Sequence, residues 1–379
     1  MRTIIEKCRE YNVDLYTCFI DYSKAFDCVQ HDKMWTIMID MGFPHHIVKL
    51  IESLYSKQEA AVRLEGDISG WFRAEQGVRQ GCILSPYLFN IYAENIMRQL
   101  YYDSSFEAYD SLSIGGHSIP ELRYADDTVL LSTSPEGLER LIKSIKEHSE
   151  SQNLHLNANK TKIMKTDKTH RDPDIKIGNN EIEIVKEFNY LGSMLYNNGD
   201  IRREIKRRCS MALNRLKQLK NLWQGTTKST RVKILRTCIF PIATYGCEAW
   251  PISPSLEAMI TSFELKCYRK MLKIPWILKR TNQSILEELN IEKNWLITSV
   301  KRRKWTFFGH LKRHTSLERT ILEGRMPNMR GRGRPRRRWS DDIQENLHTN
   351  LTKAGKMAQD RDLYKMAVMK ATSRKGHAT

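Results

Sequence analysis

The 379-residue sequence contains 8 cysteines but lacks the closely spaced cysteine pairs that mark zinc sites and redox-active dithiols. His310 and His314 have the spacing of metal ligands, but no cysteine pair accompanies them, so we expect no zinc site. Most of the cysteines lie in apolar runs, which predicts small buried side chains in a reducing compartment.

Long hydrophobic runs are also missing from the chain. No stretch reaches the roughly 18 apolar residues that a membrane-spanning helix needs. The N-terminal residues, MRTIIEKCRE, contain no apolar core of a signal peptide. We therefore expect an intracellular protein without membrane association.

Acidic residues are too few to balance the basic ones. The chain has 44 Asp and Glu against 62 Lys and Arg, which gives a formal net charge of +18. An excess of this size predicts a polyanionic partner. The segment from Arg325 to Arg338 carries seven arginines and no acid, and its glycines and prolines predict an exposed linker without fixed structure.

Carboxylates follow or interrupt strand-like runs in the first half of the chain. The run 15–20 is short, apolar and rich in β-forming residues, so it predicts a buried strand with Asp21 at its C-terminal end. Within the run 119–133, apolar residues flank Asp126 and Asp127, which predicts a β-hairpin with both carboxylates at its tip. A divalent metal ion would neutralise such carboxylates, although an acidic surface turn explains the hairpin alone equally well.

A glycine-bracketed loop, Gly77 to Pro86, precedes an apolar helix predicted over 87–100, with Ser85 as its N-cap. Glycines would let the backbone approach a ligand closely, and Arg79 and Gln80 could donate hydrogen bonds to it. Many strand-to-helix turns share this pattern, so the loop alone does not identify a site.

From residue 200 onward the patterns predict helices only. The first of them has apolar residues on one face, while Arg202, Arg203, Lys206 and Arg207 crowd the other faces. A solvated helix surface could have this composition, but so one-sided a charge favours contact with a phosphate backbone. Further helices are predicted at 229–250, 256–272 and 293–312.

Together, Asp21, Asp126 and Asp127 form a set of strand-end carboxylates in a strongly basic protein. Phosphoryl transfer by two metal ions needs such a cluster. The ions lie ~3.5 to 4 Å apart, and they lower the pKa of the attacking hydroxyl and stabilise the leaving oxygens.

In these stretches the sequence resembles the reverse transcriptases of non-LTR (LINE-type) retrotransposons. FIDYSKAFD (19–27), RQGCILSP (79–86) and YADD (124–127) resemble the first three palm motifs of that family. NANKTK (157–162) and FNYLG (188–192) resemble its fourth motif and its primer grip. The match covers about residues 1–195, and the remainder resembles the thumb and C-terminal region of the same elements more loosely.

The resemblance implies roles for residues of the palm. Asp21, Asp126 and Asp127 would bind two Mg²⁺ ions, for which Mn²⁺ could substitute. Phe26 would be a steric gate, because its bulk would collide with a ribose 2′-OH and so select deoxynucleotides.

The resemblance also implies contacts to the incoming nucleotide. Arg79 and Gln80 would touch it, and Gly81 would permit its close approach. Lys160 would lie near the polyphosphate as a cation or proton donor, although Lys162 competes for that place.

Two further segments would contact nucleic acid. Tyr190, Leu191 and Gly192 would hold the primer 3′ end. The run 330–335, RGRGRP, resembles an AT-hook, in which Arg332 and Arg334 would lie in the minor groove of A·T-rich DNA. A localisation signal or an electrostatic tether explains the same run equally well.

The sequence departs from the family before its first aspartate. Only twenty residues precede Asp21, so we expect the fingers subdomain to be largely missing. We expect the family's upstream endonuclease and its cysteine/histidine knuckle to be missing too. We expect a truncated open reading frame or a fragment of a larger polyprotein.

These features define the expected architecture and function. The expected fold is α+β, with a right-hand polymerase palm whose small antiparallel sheet is backed by helices, over 1–195. A helical thumb and C-terminal region (196–320), a basic linker (321–340) and a helical tail (341–379) would follow. The expected activity is RNA-directed DNA polymerisation, which adds deoxynucleotides to a DNA primer on an RNA template, in the nucleus or a cytoplasmic ribonucleoprotein. The alternatives are a catalytically dead nucleic-acid-binding remnant and, third, a metal-dependent nuclease.

Overall fold

The computed structural model describes residues 1–102, 110–166, 175–177, 180–292, 294–331, 333 and 336–373. These residues form two compact units. The sheet unit comprises 13–113 and 117–188, and the helical unit comprises 1–12, 114–116 and the chain from 189 onward. Each unit has a hydrophobic core of its own.

The strands lie mainly in the sheet unit and are short. In chain order they are β1 (Tyr16–Ile20), β2 (Glu59–Ala60), β3 (Arg63–Leu64), β4 (Asp67–Ile68), β5 (Phe72–Arg73), β6 (Leu112–Ile114), β7 (His117–Ile119), β8 (Glu121–Tyr124), β9 (Asp127–Ser132), β10 (Lys162–Lys165), β11 (Lys176–Ile177), β12 (Asn180–Glu181), β13 (Glu183–Ile184), β14 (Glu187–Tyr190) and β15 (Ser193–Tyr196).

The helices make up most of the rest of the described chain. They are α1 (Arg2–Glu10), α2 (His31–Asp40), α3 (His45–Tyr55), α4 (Ser85–Tyr102), α5 (Pro135–Ser151), α6 (Ile201–Gln218), α7 (Lys228–Ile234), α8 (Phe240–Ala243), α9 (Pro254–Met271), α10 (Asn282–Glu288), α11 (Trp295–Arg313), α12 (Leu317–Glu323), α13 (Asp341–Leu347), α14 (Leu351–Gln359) and α15 (Arg361–Ser373).

A five-stranded sheet in the order β13-β10-β1-β9-β8 organises the sheet unit. All residues of β1 are buried, because this strand lies between β9 and β10 and its aromatic and β-branched side chains pack well inside a sheet. Helix α5 packs on β1 and β9, and α4 packs on α5. The predicted α+β fold with a helix-backed sheet is therefore confirmed, except that β13 runs parallel to β10 and the sheet is not entirely antiparallel.

Helix α5 begins where its sequence provides a cap. The Ser134 hydroxyl accepts a hydrogen bond from the Gly137 backbone N–H at 3.0 Å, and Pro135 occupies the first turn, where a missing N–H costs nothing. Leu138 and Ile142 on its inner face are buried against the sheet. This cap and this face hold the helix beneath the acidic hairpin.

The single helix predicted over 229–250 is wrong. The structure instead has α7, a π-helical turn at Leu235–Ile239, the short α8 and a 3-10 turn at Cys247–Ala249. Pro241 has no N–H to continue the α-helical pattern, and Gly246 adopts a left-handed conformation with φ of 67°. Both residues interrupt a run that is otherwise apolar on one face.

The described cysteines are free thiols with different degrees of burial. Cys8, Cys18, Cys247 and Cys267 are buried, whereas Cys238 is exposed. In the described parts of the chain, no helix is both long enough and apolar enough to cross a membrane.

The arginine-rich segment contains neither helix nor strand where it is described, yet α1 anchors it. Arg330 and Arg338 each form an ion pair with Glu10, at 2.9 and 2.8 Å. The backbone N–H of Gly331 donates to the carbonyl oxygen of Glu10 at 3.2 Å. Part of its positive charge is therefore neutralised within the helical unit.

A buried ion pair joins α11 to α13 in the same unit. The Lys304 ammonium donates to both carboxylate oxygens of Asp342, at 2.6 and 2.9 Å, and to the carbonyl oxygen of Trp250 at 2.8 Å. Burial lowers the pKa of Lys304 to about 8 and raises the pKa of Asp342. Each charge is stabilised by its partner, because neither group is in contact with water.

We predict that Asp342→Asn lowers the free energy of unfolding by roughly 3 to 5 kcal/mol, because it leaves the Lys304 charge buried and unpaired. Lys304→Met combined with Asp342→Leu should cost clearly less, since no charge then remains in the core. Denaturant unfolding followed by tryptophan fluorescence measures both variants. Equal losses in the single and double variants would contradict the prediction.

Candidate active site

The strand register places two of the predicted carboxylates side by side. Strands β1 and β9 pair antiparallel, and their last pair is Ile20 with Thr128. The next residues along this register are Asp21 and Asp127. The edge of the sheet where β1 ends therefore carries one carboxylate from each strand.

The third carboxylate lies in the turn between β8 and β9. Tyr124 pairs with Asp127, so Ala125 and Asp126 form the tip of the predicted hairpin. Ala125 has a φ of 54°, a left-handed conformation that costs a residue with a Cβ about 1 kcal/mol or more. This two-residue turn places Asp126 at the tip, next to Asp127 at the start of β9.

The charges of the other two carboxylates act on Asp127. The pKa of Asp127 is raised, first by partial burial and then by the negative charges of Asp126 and Asp21. Like charges this close cost free energy until a cation neutralises them. The same arrangement that raises this pKa therefore favours a bound cation.

Asp21 is held in place through hydrogen bonds of its backbone. Its carbonyl oxygen accepts from the Asn157 N–H at 2.8 Å, and its own N–H donates to the Thr161 hydroxyl at 3.4 Å. Its Oδ2 atom is buried without a hydrogen-bond partner. The Lys160 ammonium lies 3.6 Å from this oxygen.

The structure distinguishes the two lysines that compete for this position. Lys162 pairs with Glu183 at 2.7 Å and donates to the carbonyl oxygen of Asn159 at 2.6 Å. Lys160 instead faces Asp21 and keeps 68% of its side chain exposed. Lys160 is therefore the cation adjacent to the carboxylates.

The carboxylates suit a hard divalent cation, although their side chains are not drawn together around one point. In the described parts of the chain, no group of three or more His, Cys, Asp or Glu side chains is arranged as a ready ligand set. The donors are nevertheless all carboxylate oxygens, which Mg²⁺ prefers. The Oδ2 of Asp21 has no hydrogen bond and the pKa of Asp127 is raised, and a cation would compensate for both, so the residues fit one.

Phe26 lies on the loop after β1, with its ring fixed by packing. It stacks on Phe89 of α4 with ring centroids 4.7 Å apart. Its carbonyl oxygen accepts from the Val78 N–H at 2.8 Å, and the Gly77 N–H donates to the carbonyl of Val29 at 2.7 Å. The glycine-rich loop is thus bonded to the loop that carries Phe26.

The two glycines of this loop have different roles. A Cβ at Gly77, whose φ is 89°, would lie 3.1 Å from the carbonyl oxygen of Asp27. Gly81, with φ of 83°, faces open space. The sequence suggested ligand approach for both, whereas Gly77 permits backbone packing and Gly81 alone leaves room for a ligand.

Arg79 and Gln80 also differ. The Arg79 guanidinium donates to the carbonyl oxygen of Leu54 at 2.8 Å and lies 5.5 Å from the centre of the Tyr55 ring. Gln80 is exposed beside the open Gly81. Arg79 ties the loop to α3, and Gln80 is available to solvent.

The predicted primer-grip residues form the turn of the β14–β15 hairpin. Leu191 and Gly192 have φ of 48° and 73°. The Tyr245 hydroxyl donates to the Leu191 carbonyl at 3.0 Å, and both Arg207 and Arg208 donate to the Gly192 carbonyl. Residues of the helical unit therefore hold this turn.

A buried glutamate that sequence analysis missed supports the same turn. The side chain of Glu204 has no exposed surface and pairs with Arg207 at 2.7 Å and with Arg208 at 2.9 Å. It also accepts from the Ser193 hydroxyl at 3.3 Å. The lone acid among the basic residues of α6 was the signal in the sequence.

The predicted basic residues of α6 have different environments. Arg207 is engaged by Glu204, as described above, and Arg202 donates to the Ser255 hydroxyl at 2.8 Å. Arg203 lies 3.7 Å from Asp200, and Lys206 is exposed. The predicted residues Arg332 and Arg334 lie outside the described residues.

Comparison with known proteins gives a family match for the first half of the chain. The family described as “Reverse transcriptase (RNA-dependent DNA polymerase)” matches residues 2–195. A putative uncharacterized transposon-derived protein of Caenorhabditis elegans is 25% identical, over 69% of this chain and 99% of its own length.

Two further relatives are considerably longer than this chain. The Pol polyprotein of the type-1 retrotransposable element R2 of Nasonia vitripennis is 27% identical over 54% of this chain, which corresponds to 20% of the relative. The RNA-directed DNA polymerase from the mobile element jockey of Drosophila funebris is 25% identical over 69% of this chain and 29% of its own. This chain thus spans less than a third of either relative.

Among solved structures, apo telomerase from Candida tropicalis is 13% identical and aligns over 76% of this chain and 55% of its own, with a TM-score of 0.40. A score this low supports no conclusion about either unit.

We predict that Asp126→Asn lowers the pKa of Asp127 toward its ordinary value, because one of the two like charges disappears while partial burial remains. A carbon-13 NMR titration of labelled aspartate carboxyls measures the change. Asp40→Asn is the control, since its charge is not among those that shift this pKa. An unchanged Asp127 pKa in the Asp126 variant would contradict the proximity of the two carboxylates.

Proposed function

The chain belongs to the reverse transcriptase (RNA-dependent DNA polymerase) family, and on this premise we propose that it is the polymerase of a non-LTR retrotransposon. It would add deoxynucleotides to the 3′-OH of a DNA primer on an RNA template. The observation that carries the proposal is the pairing of β1 with β9. This pairing places Asp21 beside Asp127, with Lys160 adjacent, in the half of the chain that the family matches.

Asp21, Asp126 and Asp127 would hold divalent cations, two Mg²⁺ ions or Mn²⁺ in their place. Bound there, such ions lower the pKa of the primer hydroxyl and stabilise the charge that develops on the leaving pyrophosphate. The hairpin contributes two of the three carboxylates, Asp126 at its tip and Asp127 at the start of β9. The protein would therefore supply a negatively charged cradle whose side chains the bound cations draw together.

Lys160 would act on the polyphosphate of the incoming nucleotide. Its ammonium is exposed enough to reach an anionic ligand while it remains close to Asp21. It would neutralise the leaving pyrophosphate and could donate a proton to it. Arg79 would act indirectly, because its contacts to α3 fix the loop on which Gln80 touches the nucleotide.

Phe26 would select the sugar. Its stacking on Phe89 prevents the ring from turning away, so a ribose 2′-OH would collide with it. Gly81 would leave space for the nucleotide on the other side. Selection by fixed bulk excludes the ribonucleotide without requiring a polar contact.

The remaining assignments concern nucleic acid. Tyr190, Leu191 and Gly192 would hold the primer end, and the exposed Lys206 of α6 would contact duplex phosphates together with Arg202 and Arg203. The segment with Arg332 and Arg334 would bind A·T-rich DNA or serve as an electrostatic tether. Its composition also favours a nuclear location.

We predict Mg²⁺-dependent primer extension on an RNA template, abolished by Asp126→Asn combined with Asp127→Asn, because the cradle then loses two negative charges. Phe26→Ala should retain extension with deoxynucleotides and gain extension with ribonucleotides. Gel electrophoresis of a labelled primer measures both. Tight template binding without extension by the unmodified chain would instead support a non-catalytic binding remnant.

We predict that Tyr245→Phe raises the KM for primer–template about fivefold, because the Leu191 carbonyl loses a hydrogen bond worth about 1 kcal/mol. The kcat should change less, since Tyr245 contacts the turn and not the carboxylates. Steady-state extension measures both constants, and thermal unfolding checks that stability is retained. An unchanged KM would show that this turn does not hold the primer.

A further inference from the structure

A groove between α11 and α15 of the helical unit has no assigned role. It encloses about 1040 Å³, and its walls include Phe307 and His310 from α11 and Lys365 and Met369 from α15. Its floor is apolar. The side chains of Tyr364 and Val368 pack beneath it and are buried. We call it the α11–α15 groove.

Cations without partners line this groove. Arg302, Arg361 and Lys365 are exposed, and the described residues provide none of them with an ion pair or a side-chain hydrogen bond. Two other arginines of the wall are occupied. Arg303 donates to Glu248 at 2.8 Å, and Arg313 donates to the carbonyl oxygen of Ala358 at 2.9 Å. The groove thus contains positive charge that the fold does not use.

The position of Arg361 strengthens this conclusion. It is the first residue of α15, where the helix dipole makes a cation unfavourable by a few tenths of a kcal/mol or more. The acids of the groove are Asp362, which follows it, and Glu248, which Arg303 already neutralises. Charge in the groove therefore favours an anionic occupant.

The apolar surface of the groove indicates which anion fits. Phe307 and Met369 keep 36% and 52% of their surface exposed beside the cations. Exposed aromatic rings flanked by Arg and Lys are typical of single-stranded nucleic-acid sites, where bases stack and phosphates pair. From residue 302 to residue 313, α11 extends ~16 Å, which is enough for about three to five nucleotides.

We propose that the α11–α15 groove binds a single-stranded segment of RNA, with phosphates at Arg302, Arg361 and Lys365 and a base against Phe307. The choice of RNA over DNA rests on the proposed function. The groove itself requires no catalysis, so binding can be tested even where polymerisation fails.

The test uses the full chain and a labelled oligouridine of about 12 nucleotides, with binding measured by fluorescence anisotropy at several salt concentrations. Arg302→Ala combined with Lys365→Ala should weaken binding about tenfold and flatten the salt slope by about 1.4, since two phosphate contacts disappear. The control is Lys353→Ala combined with Lys370→Ala, which removes the same charge from exposed lysines outside the groove. Equal weakening by both pairs would overturn the proposal.

Cross-linking locates the RNA directly. An oligonucleotide with 4-thiouridine should cross-link to peptides within 302–313 or 361–369, and Phe307→Leu should reduce this yield and weaken binding about fivefold at an unchanged Tm. Cross-links confined to other peptides would overturn the proposal. Tighter binding of the DNA strand of matching sequence would also overturn it. The same conclusion would follow if a polyglutamate peptide bound the groove and the RNA did not.

A further variant separates this inference from the proposed function. The chain with Asp126→Asn and Asp127→Asn should bind the oligouridine as tightly as the unmodified chain, whether or not the latter extends a primer. Absence of extension by the unmodified chain, together with groove-dependent binding, would refute the polymerase and retain the groove as an RNA-binding site. Extension by the unmodified chain without groove-dependent binding would support the polymerase and refute the groove as an RNA-binding site.

Discussion

The antiparallel pairing of β1 with β9 is the constraint on which the candidate site depends. Side chains alternate along a strand, so a slip of one residue would turn either Asp21 or Asp127 to the opposite face of the sheet. The buried residues of both strands oppose such a slip, because it would exchange side chains between two closely packed faces of the sheet that they do not fit. The position of the carboxylates is therefore set by the hydrophobic core beneath them. The acids themselves oppose this arrangement, because their like charges repel one another.

The basic residues of this chain fall into two groups, which the amino-acid composition does not distinguish. Some cations neutralise buried acids, as Lys304 does for Asp342 and Arg208 does for Glu204. Others remain exposed: Lys160 keeps 68% of its side chain exposed beside Asp21, and the described residues provide no ion pair for Arg302. The net charge does not distinguish these groups, and only the exposed cations are available to bind a polyanion.

Much of the site was predictable because its signals are local in the sequence. Asp21 follows an apolar run and Asp126 and Asp127 interrupt a pair of such runs, so secondary structure alone predicts where they project. The support of the β14–β15 turn was not predictable, because Glu204 and Tyr245 meet it only in the folded chain. The same holds for the choice between the two neighbouring lysines. The break at 235–249 differs, because Pro241 and Gly246 are local signals that the helical periodicity of the run outweighed in the prediction.

The helical unit is discontinuous, since α1 at the start of the chain packs with residues from its end. Glu6 accepts the backbone N–H of Trp339 at 3.1 Å, so the two partners are separated by almost the whole chain. At ribosomal rates of about 5 to 20 residues per second, α1 must wait on the order of tens of seconds for this partner. During synthesis the sheet unit can complete its core first, and the amphipathic α1 is a segment that a nascent-chain chaperone would meet unprotected.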